Sequence, residues 1–254
     1  MGRLTDKVVL VTGATSGIGV DIAQRCIEEG AFVGVAGRSA ERGEAVAEKL
    51  GDRAHFIALD VVSENSWQEA IDRVVDCFGR LDVLVNNAGV MTPCDVENTS
   101  LDLFQHTMST NAGGLFLGCK LALAQMKEQG TPASLVNVLS TTALKTSAWT
   151  LAYGASKAAS LSMTKSIALH CAEMGYDIRC NAVLPGVVMT PMVEGVLNAA
   201  PDREAALANL TESHPIGRLI EGREVANAVL YYASSESSGV TGSHFSVDGG
   251  QTAA

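Results

Sequence analysis

A tyrosine and a lysine four residues apart, Tyr153 and Lys157, are the pair in this sequence best suited to moving a proton. On a helix, side chains at i and i+4 are neighbours, about 5–6 Å apart at Cβ. A free phenol is a poor base near neutrality because its reference pKa is about 10. A fixed ammonium beside it favours the phenolate, so the group can both give and take a proton. Taken alone, the spacing equally fits an amphipathic helix with a solvated face. Two more polar residues can complete a relay: Ser140 at the end of an apolar run upstream, and Asn111 in the stretch Asn111-Ala112-Gly113-Gly114.

These residues need elements to hold them. Residues 7–12 (KVVLVT) read as a buried parallel strand, and 12–19 (TGATSGIG) as a glycine turn opening a helix. A strand, a glycine turn and a helix make half of a dinucleotide-binding unit. Gly13 permits the tight turn, Gly17 lets a pyrophosphate approach the backbone, and Gly19 lets helix and strand pack closely. The helix N-terminus, with Thr15, Ser16 and Ile18 around it, faces the phosphates. A second strand over 31–36 runs into Gly37-Arg38-Ser39. An NAD-selective site usually ends that strand with an acid for the ribose 2′-hydroxyl. Arg38 cannot accept that bond, but its guanidinium can pair with a 2′-phosphate. This favours NADP(H), with NAD(H) possible; otherwise Arg38 stacks on adenine or faces solvent. No Lys or Arg lies beside Gly17 to add a second phosphate contact.

Further strands are expected at 53–59, 81–85, 134–139, 177–183 and 243–247. Asp60 and Val61 close the third, where Asp60 either meets the adenine amino group or is a turn aspartate. Asn86-Asn87-Ala88-Gly89 follows the fourth, able to brace the sheet centre or simply to turn the chain. Ser63 should cap a helix through Phe78. Residues 101–126 read as one long helix or two with a bend, since each helical glycine costs about 1 kcal/mol against Ala. A helix should run from Tyr153 to about Met174. Another stretch, 193–211, is bounded by Pro191, Pro201 and Pro215 and is too long for a plain connection. It reads as part of a substrate lid spanning about 187–215. A last helix is expected at 221–233. Seven strands alternating with helices imply one α/β domain over 1–254, a doubly wound parallel sheet with helices on both faces.

Composition narrows the options. The formal charge of −10 argues against nucleic-acid or anionic-membrane partners, and no apolar run is long enough to span a membrane. The six cysteines have no paired spacing and the five histidines no ligand spacing. Reduced thiols, a cytoplasmic location and no metal site are expected.

In order along the chain, TGxxxGxG at 12–19, Asn86-Asn87-Ala88-Gly89, Asn111, Ser140, Tyr153-x-x-x-Lys157 and Pro185-Gly186 together resemble the short-chain dehydrogenase/reductases. The resemblance covers essentially the whole chain. Within the family the sequence is most similar to bacterial dehydrogenases of hydroxysteroids and of cyclic or aryl secondary alcohols, partly through Met1-Gly2-Arg3-Leu4 and 175–179 (GYDIR). The resemblance implies a single-domain Rossmann-type fold, a homotetramer or homodimer, and hydride transfer between a nicotinamide and a ketone or secondary alcohol. It implies Tyr153 as general acid or base and Lys157 as the group that depresses the tyrosine and binds the nicotinamide ribose. Ser140 would hold the substrate oxygen, with Thr142 a neighbouring hydroxyl that can share the role, and Asn111 a water linking Lys157 to solvent. Pro185 to Thr190 would run along the nicotinamide, with the Val188 amide and the Thr190 hydroxyl on its carboxamide.

The expected pocket lining is apolar: Met91, Leu144, Trp149, Met189, Met192, Val193, Val196 and Leu197, each of which can instead be ordinary core. A 3-oxoacyl-thioester reductase is the alternative enzyme. It would need basic surface for an acidic carrier, and the lid region offers only Arg203, Arg218 and Arg223 among acids. A non-catalytic dinucleotide sensor is the alternative from another class, but it would need no proton relay.

Overall fold

The computed structural model describes residues 2–254; Met1, the first residue of the opening motif, lies outside them. Seven strands, β1 (Val8–Thr12), β2 (Phe32–Gly37), β3 (Ala54–Ala58), β4 (Val83–Asn86), β5 (Ala133–Val138), β6 (Ile178–Pro185) and β7 (His244–Val247), form one sheet. Its order is β3-β2-β1-β4-β5-β6-β7, and every pairing is parallel. This is the expected Rossmann-type doubly wound α/β fold. The order reverses between β1 and β4, and such folds bind ligands outside the carboxyl ends at that crevice.

Alternation along the strands builds two cores. Val9 and Val11 of β1 face one core, with α1 (Ile18–Glu28), α2 (Ala40–Leu50) and α9 (Gly222–Ala233) against it. Val8 and Leu10 face the other, shared with α3 (Glu64–Phe78), α5 (Gly114–Gln129) and α6 (Leu151–Glu173). All five residues of β1 are buried, which is why it reads as an unbroken apolar run.

Caps set the helix starts. Ser63 accepts from the Ser66 amide at α3, as expected, and Ser39 does the same for Arg42 at α2. The sequence reading assigns no element to 40–50, where α2 lies. Residues 101–126 are two helices, α4 (Leu101–Met108) and α5, joined by a π-helical turn at Ser109–Gly113. Close packing also explains a glycine here: a Cβ on Gly118 would lie 2.6 Å from the Trp67 ring.

The expected single helix at 193–211 is two, α7 (Pro191–Ala199) and α8 (Arg203–Glu212). Thr190 caps α7 with Pro191 in its first turn, and Asp202 accepts from the Ala205 amide to start α8. Pro201 cannot continue a helix, so the chain breaks there. Among the described residues no helix is long and apolar enough to cross a membrane.

Candidate active site

At the carboxyl ends of the strands lies a cleft of about 730 Å³. Its floor is the turn after β1. Gly13 and Gly17 have φ of 63° and 55°, in the left-handed region that favours glycine. A Cβ on Gly13 would lie 2.9 Å from Ala88 Cα, and one on Gly17 would lie 3.2 Å from Thr190. The Thr12 hydroxyl accepts from the Asn87 and Ala88 amides at 3.0 Å each, and Asn87 Nδ2 donates to the Thr12 carbonyl at 3.0 Å. These bonds stitch the β1 turn to the β4 turn. Asn86 does the bracing: its Nδ2 donates to Asn137 Oδ1 at 3.0 Å, and Asn137 donates to Thr164 at 2.9 Å.

Thr15, Ser16, Gly17 and Ile18 line the cleft beside Gly13. Gly17 caps α1 without a side-chain acceptor, so the first amides of α1 are left for an anion. Asn87, Ala88, Gly89, Asp60 and Val61 line the same side. Asp60 Oδ1 also takes the Val62 amide at 3.3 Å, so it holds its turn as well as facing the cleft. Gly19 and Ser39 do not line it. A Cβ on Gly19 would lie 2.4 Å from the Gly13 carbonyl, a helix–strand packing position, and the Ser39 hydroxyl is spent on the α2 cap.

Arg38, just past the end of β2, lines the cleft together with Arg42, which the sequence reading missed. Neither guanidinium has a hydrogen-bond or ion-pair partner among the described residues. The spacing of four, on and just before a helix, was the available signal; without the Ser39 cap, α2 was not visible.

At the other end α6 presents Tyr153 and Lys157. The Lys157 ammonium lies 5.5 Å from the Tyr153 ring centre and donates to the Val138 carbonyl at 3.2 Å. Ser140, just past the end of β5, takes the Thr142 amide at 3.2 Å and lies beside the Tyr153 phenol. Asn111, in the π-helical turn, exchanges two bonds with the Val90 backbone at 2.8 and 2.9 Å and donates to Ser156 at 3.0 Å. Between Asn111 and Lys157 lies a cavity of about 10 Å³, near the space one water needs.

The electrostatics differ from the sequence expectation. Burial pushes the Tyr153 phenol up, with Ser140 pulling weakly the other way; the lysine is not among the causes. Lys157 is pushed down to about 8 by its own burial. Desolvation of both groups outweighs their mutual effect, so the phenol rests protonated. A lysine lower when folded than its ordinary 10.5 means that the unfolded chain holds more protons between about pH 8 and 10.5. The Lys157 contribution to stability should therefore rise with pH across that window, by about 3 kcal/mol in all. The buried thiols of Cys26, Cys171 and Cys180, held above their ordinary value of 9.0, pull the other way from about pH 9 upward. Urea midpoints followed from pH 7 to 10 without cofactor should therefore rise in the wild type relative to Lys157→Met.

Trp149, Met91, Met192, Val193 and Val196 line the outer cleft. Leu197 does not: it is fully buried, an α7 residue turned to the interior. Leu144 and Met189 are exposed and also lie off the lining. On a helix neighbouring residues point about 100° apart, so Val196 and Leu197 cannot share a face. Pro185, Gly186, Val188 and Thr190 form the inner wall, and Thr142 lies beside Ser140. Lys145, Leu210, Ser213 and Gln251 also line the cleft, unforeseen because they come from distant segments. Gln251 bridges two of these segments: Thr141 Oγ1 donates to its Oε1 at 2.9 Å, and its Nε2 donates to Ser213 at 3.0 Å.

Residues 13–252 match the sequence profile of a family described as enoyl-(acyl carrier protein) reductase. The NADP-dependent (R)-specific alcohol dehydrogenase of Lentilactobacillus kefiri is 39% identical over 253 residues, covering 99% of this chain and 98% of that one. The cyclopentanol dehydrogenase of Comamonas testosteroni is 40% identical over 256 residues, the full length of both. The 3-beta-hydroxysteroid dehydrogenase of the same species is 36% identical over 246 residues, 97% of this chain and 96% of that one. With matches of this extent over a parallel sheet whose glycine turn, serine, tyrosine and lysine share one cleft, the chain belongs to the short-chain dehydrogenase/reductase family.

Proposed function

We propose that the protein interconverts a hydrophobic ketone and its secondary alcohol, cyclic, aryl or steroid-like, with NADP(H) as the preferred hydride carrier. The enzyme is an NAD(P)-dependent oxidoreductase acting on CH–OH donors. The observation that carries the finer reading is the Ser140–Tyr153–Lys157 cluster opening onto the apolar wall of Trp149, Met192 and Val196.

The cradle fits a dinucleotide: the left-handed glycines Gly13 and Gly17 turn the chain so that the uncapped first amides of α1 open onto the cleft. The α1 amides hold the pyrophosphate, Arg38 and Arg42 the 2′-phosphate, Asp60 and Val61 the adenine, and Lys157 the nicotinamide ribose. Asn87, Ala88 and Gly89 leave room for the riboses, while the Val188 amide and Thr190 hydroxyl hold the carboxamide. When bound, the nicotinamide supplies the hydride.

In reduction, Tyr153 gives its phenolic proton to the carbonyl oxygen. Ser140, whose oxygen already accepts the Thr142 amide, donates its own hydrogen to the same substrate oxygen and steadies the developing alkoxide. Lys157 returns a proton to Tyr153, and a water in the Asn111 cavity links Lys157 outward. In oxidation the proton runs the other way. Residues 187–215 act as the substrate lid.

An acyl-thioester reductase is less well supported, although the family description names an acyl carrier protein. Arg203, Arg218 and Arg223 are paired with Glu194, Glu224 and Glu28, so they offer little free basic surface to an acidic carrier. Turnover with NADPH and NADH should be screened against cyclic, aryl and steroidal ketones and against acetoacetyl and crotonyl thioesters. Ketone turnover is expected to dominate; faster thioester turnover would replace this reading. Exposed Phe116, Leu169 and Phe245 suit burial in a homotetramer or homodimer, which a monomeric sedimentation value would contradict. Six unpaired thiols suit a reducing cytoplasm; loss of free thiols in protein taken from cells would argue against it.

A further inference from the structure

His214 sits behind the lining of the cleft, between the lid and the inner wall, and is almost fully buried. Its Nδ1 lies 2.8 Å from the Leu210 carbonyl, which can only accept, so Nδ1 carries the hydrogen. Its Nε2 accepts from the Val187 amide at 3.0 Å. The two bonds fix one neutral tautomer. The ring lies flush on Gly186, where a Cβ would come within 2.5 Å of Nε2. The Val187 carbonyl is held from the same side by the Ile220 amide at 2.9 Å. Asp248 faces the ring, but its oxygens are taken by the Gly250 and Thr252 amides and the Thr252 hydroxyl. Leu210 belongs to the last turn of α8, whereas Val187 belongs to the wall after β6. The imidazole thus bridges two segments that share no direct backbone hydrogen bond among the described residues.

We propose that His214 is a positioning residue: its neutral imidazole ties the end of the lid to the Gly186–Val188 wall and so sets the place of the nicotinamide end of the cofactor. This rests on the reading that 185–190 borders the nicotinamide. An imidazole lost at Nε2 leaves the Val187 amide unpaired in a half-buried loop, and the wall must move to find another acceptor. The adenosine end, held by α1 and α2, is remote from the latch and should not feel it.

Calorimetric titration with NADP⁺ and with 2′-phospho-ADP-ribose, which lacks only the nicotinamide, separates the two ends. His214→Asn keeps a donor for Leu210 and loses the acceptor for Val187. It should bind NADP⁺ at least about 5-fold more weakly, the low end for one unpaired buried donor, with the fragment unchanged. His214→Gln places an acceptor near the Nε2 position and should keep the wild-type ratio of the two affinities. A wild-type ratio in His214→Asn, or an equal loss of both ligands, overturns the latch. Should His214→Asn not fold, His214→Gln decides alone: a changed ratio there overturns it. Thr190→Ala tests the underlying reading. If it too leaves the ratio unchanged, the wall does not border the nicotinamide; if it shifts the ratio while His214→Asn does not, only the latch is wrong.

Discussion

Tyr153→Phe is expected to lower turnover by at least about 10²-fold, the low end for removing a general acid–base, while cofactor affinity stays within about 2-fold. The substitution deletes one oxygen and keeps the ring, so the cation beside the ring remains at its 5.5 Å distance. It also removes the oxygen that lies beside Ser140. Binding and chemistry therefore separate: titration with NADPH should look native while single-turnover ketone reduction collapses. Because burial holds the phenol above its ordinary value, the wild-type reductive rate should fall as pH rises through the phenol's ionisation. The residual rate of the variant should lack that limb. Near-native turnover would mean that the proton comes from elsewhere and would sink the mechanism.

Arg38→Asp combined with Arg42→Ala should reverse the cofactor preference. Each charge-assisted bond to a phosphate is worth about 1.5–3 kcal/mol, so losing two predicts a fall in kcat/KM with NADPH of about 10²- to 10⁴-fold. Asp at 38 supplies an acceptor for a ribose 2′-hydroxyl, so kcat/KM with NADH should hold or rise. The single variants should each fall part of the way, since both guanidinium groups line the same end of the cleft. An unchanged NADPH:NADH ratio in the double variant would show that neither side chain reads the 2′-phosphate.

Local features were legible in the sequence. The β1 run and its glycine turn, Ser63 as a cap and the seven strands depend on neighbours within a few residues, and they stand within about two residues of expectation. What stayed hidden depends on distant neighbours. Arg42 needed the α2 cap to be seen. Gln251 meets Thr141 across 110 residues of chain, and His214 reaches back 27 residues to Val187. The Tyr153 shift runs opposite to the expected depression because spacing on a helix says nothing of burial, and burial pushes the phenol up. Leu197 was misplaced for a related reason: apolar type alone does not say which side of a helix meets a cleft.

The π-helical turn at Ser109–Gly113 acts as a phase shifter. One extra residue is accommodated there, so the faces of α4 and α5 are offset by about 100° from an uninterrupted helix. Two jobs that would otherwise compete for one stripe are thereby uncoupled. Gly114 and Gly118 can turn inward onto Val61 and Trp67 while Asn111 stays locked on Val90. A one-residue deletion inside the turn would restore a regular helix and force a choice between them, whereas substitutions elsewhere on α4 leave the offset intact. The segment thus supplies the site with an extra residue of length as well as with the side chain of Asn111.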